Sequence, residues 1–73
     1  MLHITPWERA ALQLLSEGTR PEALAHRLGT TEFDVEERLT NLFTRMGVVG
    51  RGQAVADALR RGLLSAEPQQ RLA

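Results

Sequence analysis

Apolar residues recur along this chain at spacings of three and four, never in strict alternation. Ala11, Leu12, Leu14 and Leu15 form one such set, and Leu24, Ala25 and Leu28 a second. Val35, Leu39, Leu42, Phe43 and Met46 form a third, and Ala54, Val55, Ala58 and Leu59 a fourth. A spacing of three and four marks the buried stripe of a helix, whereas a half-buried strand alternates with period two. Four helices are therefore predicted, and no strand.

The punctuation between the sets agrees. "TPWE" offers Thr5 as N-cap, Pro6 at the first helical position and Glu8 three residues after the cap, and Gly18 ends that helix. "TRPE" repeats the device with Thr19, Pro21 and Glu22, and Gly29 closes a short second helix. "TTEFD" opens the third, with Thr31 as cap and Asp34 three residues on, and Gly47 ends it. A fourth helix is expected after "GRG", from Gln53 to about Arg61. Only "GTT" separates the second helix from the third. A short helix, a glycine turn and a longer helix form a helix-turn-helix signature. The expected fold is all-α, a four-helix helix-turn-helix domain over residues 1–64, with "SAEPQQRLA" (65–73) as a flexible tail.

Composition narrows the function classes. The chain of 73 residues holds one domain, near the lower size at which a single core folds unaided. It has no cysteine, which excludes disulfides and thiolate metal sites, and its longest apolar runs are three residues. A soluble, cytoplasmic domain with no membrane contact is expected. The basic residues are nine arginines, with no lysine, and nine acids balance them. Their distribution is uneven. Residues 31–46 carry four acids against two arginines, and 47–73 four arginines against two acids.

The run "ITPWERAALQLLSEG…ALAHRLGTTEFDVEERLTNLFTRMGV…RGQAVADAL" resembles the LuxR-type (NarL/FixJ-like) helix-turn-helix domain. That family has a Leu-Thr-Pro-x-Glu opening before "LxLLAxG", an "xIAxxLG" scaffold helix, a Ser/Thr-x-x-Thr-Val-Lys-x-His helix, and an ending in "KLGV" and Arg-x-Gln-Ala. Ile4 to Val55 follow this order without a gap. Region 4 of bacterial sigma factors shares the opening and scaffold, but "TRMGVVGRGQAVADAL" fits the LuxR-type ending better. The resemblance implies a third helix that docks in the DNA major groove and a fourth that forms a dimer. The implied DNA-contacting positions are Thr31, Glu36, Glu37, Arg38, Thr40, Asn41, Arg45 and Arg51. The dimer interface would comprise Val55, Ala58, Leu59, Gly62 and Leu63, a stripe of small and apolar residues.

The exposed face of the third helix departs from the family pattern. Asp34 stands where the family has threonine, Glu36 where lysine is frequent, Glu37 at the next polar position, and Arg38 where histidine is frequent. A carboxylate about 7 Å from a phosphate is repelled by roughly 0.6 kcal/mol in water-like dielectric. Three of them weaken binding by about 2 kcal/mol, roughly thirtyfold. Glutamate can nevertheless accept from the cytosine amino group in the major groove, so Glu36 or Glu37 can read a base. Two alternatives stand beside that role. Glu32 and Asp34 favour the helix dipole from the first turn, and Glu36 and Glu37 can be a solvated face. A second function is thus open: an interaction module whose acidic third helix addresses a basic protein.

Trp7 in the first turn of the first helix is expected to pack over the domain's own edge. Phe33 and Trp7 exposed together would instead point to a protein interface. His3 and His26 lack a carboxylate or cysteine at ligand spacing, so no metal site and no cofactor are expected. "GVVGRG" follows no strand and lacks the Gly-Lys-Ser/Thr of a phosphate-binding loop. No nucleophile–base arrangement is legible, and no enzymatic activity is expected.

Overall fold

The computed structural model describes residues 2–64, which form four helices in the order α1 (Pro6–Ser16), α2 (Pro21–Leu28), α3 (Glu32–Met46) and α4 (Arg51–Arg60). The fold is all-α, and no strand occurs among the described residues. The tail expected over 65–73 lies outside them.

Local chemistry sets the helix ends. Thr5 Oγ1 accepts from the Glu8 amide (3.1 Å), and Glu8 Oε1 accepts from the Thr5 amide (2.9 Å), closing a reciprocal capping box over α1. Thr31 caps α3 by accepting from the Asp34 amide at 3.1 Å. The cap of α2 is Arg20, not Thr19. Thr19 is occupied in ending α1, because its amide donates to the Leu14 carbonyl (3.0 Å). Arg20, extended at φ −79° and ψ 158°, makes no side-chain cap bond. The fourth helix begins at Arg51, two residues earlier than the sequence suggests. Extended Gly50 precedes it, and Gln53 Oε1 accepts from the Val49 amide across its first turn.

Leu12, Leu24, Val35 and Leu42 are fully buried, joined by Ala11, Leu14, Leu15, Ala25, Leu39, Met46, Ala54, Ala58 and Leu64. All four helices thus feed one core. Each buried leucine of that size contributes about 1.5–3 kcal/mol relative to exposure. Leu28, Phe43 and Val55 are half-buried against the core, and Leu59 is 38% exposed. Ala58, expected at a dimer interface, is fully buried in the protomer's own core and has no surface for a second copy. The spacing that marks a helix stripe does not distinguish burial within a chain from burial between chains.

The turn between α2 and α3 rests on Gly29, at φ 71° and ψ 35°. In this left-handed conformation the Thr30 amide reaches back to the Ala25 carbonyl (2.9 Å), closing α2 and releasing the chain at a sharp angle. α2 packs directly on α3, as helix-turn-helix geometry requires.

Candidate nucleic-acid interface

The exposed side of α3 has three parts. Val35, Leu39, Leu42 and Met46 face the core. At about 100° per residue, Phe33, Glu37, Thr40, Asn41 and Thr44 cluster on the opposite side. Phe33, Glu36, Glu37, Thr40 and Asn41 together line one shallow depression on that surface. Phe33 is 77% exposed, whereas the half-buried Trp7 packs against the core. The two aromatic rings therefore do not form a shared exposed patch of the kind an interface would need.

Arg38 and Arg45 occupy one shoulder of α3 and are engaged within the chain. Arg38 Nε lies 3.0 Å from Asp34 Oδ2, and its guanidinium sits 4.9 Å from the centroid of the Trp7 ring. Asp34 also accepts from Thr30 Oγ1 at 2.8 Å. That hydroxyl first, and Arg38 after it, hold the Asp34 carboxyl below its ordinary range against the opposing effect of burial. Arg45 pairs with Glu8 Oε2 and donates to the His3 carbonyl (3.3 Å). Glu8 therefore has two roles, capping α1 with one oxygen and holding Arg45 with the other.

On the opposite shoulder, Glu36 and Thr40 line a cleft with Pro21, Leu24, Phe43, Gly50 and Arg51. Arg51 also lines the neighbouring cleft with Arg20 and Thr19. No ion pair among the described residues engages Arg20, Arg51, Glu32, Glu36 or Glu37. Unpaired positive charge thus borders the α3 face at Arg51, which shares its second cleft with Arg20, whereas the arginines of the helix itself are ion-paired. Thr31 serves as the cap of α3, and its hydroxyl is already an acceptor.

Sequence reasoning missed the Thr30–Asp34–Arg38–Trp7 array and Arg20. It also missed Asp57 on α4, a carboxylate only 6% exposed. Asp57 Oδ2 accepts from Arg61 Nε (2.6 Å), and Oδ1 accepts from Arg60 Nη2 (2.5 Å). Arg61 first, with Arg60, lowers its pKa from the ordinary carboxylate value although burial acts the other way. The stretch "DALRR" carries that signal, since arginines three and four residues after an acid share its helix face. Of the expected interface positions, Val55 on α4 is half-buried, while Gly62 (exposed) and Leu63 (half-buried) lie in the turn after α4 and do not extend its stripe. Among the described residues no three His, Cys, Asp or Glu side chains group as metal ligands, and no helix is long and apolar enough to cross a membrane.

A short helix, a left-handed glycine turn and a longer capped helix with a continuous exposed face define a helix-turn-helix domain. No family model and no solved structure matches the chain. Curated relatives do. The chain is 34% identical over 61 residues to the spore germination protein GerE of Bacillus subtilis, covering 84% of this chain and 82% of that one. It is 32% identical over 62 residues to the transcriptional regulatory protein YdfI of the same organism (85% of this chain, 29% of YdfI). A putative HTH-type transcriptional regulator of Mycobacterium bovis is 37% identical over 59 residues, 81% of this chain. The chain spans only 7% of that mycobacterial protein's length. The chain belongs to the helix-turn-helix family of transcriptional regulators that these proteins represent.

Proposed function

We propose that this chain is a LuxR-type DNA-binding domain of a transcriptional regulator, which docks α3 in the major groove and pairs with a second copy through α4. One observation carries the reading. α3 presents Glu36, Glu37, Thr40 and Asn41 as a single exposed face immediately after the Gly29 turn, in a chain that covers most of GerE. An α-helix fits the major groove, and side chains of such a helix reach the base edges. Arg51, with Arg20 beside it, supplies charge for the DNA backbone at the border of that face. Thr31, Arg38 and Arg45 are further contact positions once their internal partners yield. The dimer surface comprises Leu59 and the partly exposed Val55 on α4, with Gly62 and the partly exposed Leu63 in the turn that follows it.

A second reading draws on Phe33, an exposed ring among carboxylates that no arginine pairs. In that reading the same face binds a basic protein surface, and α3 has lost general DNA binding. Selection from a pool of random duplexes at low salt separates the two. Enrichment of a defined site, with affinity falling as salt rises, supports the DNA-binding domain. If the folded protein enriches nothing, the interaction module stands instead.

A further inference from the structure

We infer that Glu37 and Phe33 are the specificity determinants of the α3 face, reading a cytosine and a nearby thymine. The inference rests on the DNA-binding reading above and deepens it.

Side chains around α3 divide into two groups. Both arginines of the helix lie on the shoulder held by Asp34, Trp7, Glu8 and the His3 carbonyl. The centre of the exposed face carries Phe33 and, one turn later, Glu37, with Thr40 and Asn41 beside them and Glu36 on the shoulder, completing the depression they line. The two arginines of the helix, although solvent-exposed, are thus engaged in ion pairs on its shoulder, and the groups that discriminate bases occupy its centre.

Each central group has a narrow choice of base edge. An ionised glutamate only accepts hydrogen bonds. In the major groove the cytosine N4 amino group is a donor with no acceptor beside it on the same base. Guanine offers N7 and O6 acceptors, which repel a carboxylate, and thymine offers O4. Adenine presents its N6 donor next to the N7 acceptor, a pair suited to an amide. Cytosine is therefore the best partner for Glu37. An exposed phenylalanine ring has one apolar target on a base edge, the thymine C5 methyl. Residues one helical turn apart have Cβ atoms about 5–6 Å from each other. With about 3.4 Å per base step, the two side chains reach base pairs one or two steps apart. The face addresses a cytosine with a thymine beside it or one step away.

The test is selection from random duplexes at low salt, followed by titration of the enriched site with designed variants. The wild-type protein is expected to enrich a cytosine and a nearby thymine. Replacing that cytosine should weaken binding tenfold or more. Replacing the thymine by uracil, which lacks the methyl group, should weaken wild-type binding severalfold and leave Phe33→Ala unchanged. Glu37→Gln substitutes an amide that bonds adenine in two places, so its preferred base should move from cytosine to adenine. Both side chains are exposed, so neither change threatens the fold. A defined site whose base preferences survive Phe33→Ala and Glu37→Gln overturns this assignment and leaves the DNA-binding reading intact. Failure of any site to enrich overturns both.

Discussion

At Gly29 the backbone stands at φ 71°, yet a Cβ built there would meet nothing within 4 Å. Any penalty for a side chain is therefore conformational and owes nothing to a clash. Placing an L-residue in the left-handed region costs roughly 1–2 kcal/mol. Gly29→Ala should lower stability by about that amount in urea unfolding, with an unchanged slope, and Gly29→Asn should recover part of it. Asp57 makes a different residue-scale prediction. Its folded pKa lies below the unfolded value, so the bonds from Arg61 and Arg60 stabilise the fold fully above that unfolded value. That stability is lost as pH falls through the folded pKa. Melting temperature should therefore drop on acidification below about pH 5, where unfolded carboxylates begin to protonate. Asp57→Asn should melt lower at neutral pH and show a flatter dependence through the acid range.

Helix by helix, what was legible in the sequence is what depends on neighbours three or four residues away. The Thr5–Glu8 box, the Thr31 cap, the Gly29 and Gly47 stops and the core stripe of α3 all belong to this class. Thr19 does not cap α2, because two adjacent residues serve two helix ends and the end of α1 claims Thr19. The state of the arginines on α3 was not legible at all. Arg45 meets Glu8 across 37 residues, and no local pattern encodes a pairing between helices. The separation has a measurable consequence for DNA binding as proposed here. Asp34→Asn removes the charge that holds Arg38 while leaving an oxygen for Thr30. Glu8→Gln keeps an acceptor for the Thr5 amide and weakens the hold on Arg45, since either residue completes a capping box. Each arginine freed to meet a phosphate should steepen the plot of log affinity against log salt by about 0.9. The double variant should thus gain close to two units of slope on random-sequence duplex. An unchanged slope would mean that neither arginine can reach the backbone.

Among the described residues every helix contributes to one small core, and α1 is tied to the segment after α4. Arg9 Nη1 donates to the Leu63 carbonyl (2.6 Å), and the next residue, Leu64, is buried in the core. Removing the fully buried Leu42 side chain with Leu42→Ala costs about 2–5 kcal/mol, a large part of the 5 or so expected of a domain this size. Stability of that order leaves room for association to matter. If α4 forms the proposed dimer, association with a second copy stabilises only the folded state, so melting temperature must rise with protein concentration. Leu59, the large apolar side chain of α4 most open to solvent, is the position at which to break that coupling. Leu59→Glu places a charge opposite its symmetry mate while leaving the protomer's core untouched. The variant is expected to sediment as a monomer, to melt at a temperature independent of concentration, and to bind a palindromic duplex no better than a half-site. A wild-type melting temperature constant over a hundredfold range of concentration, with monomeric sedimentation, would remove the dimer from the proposal.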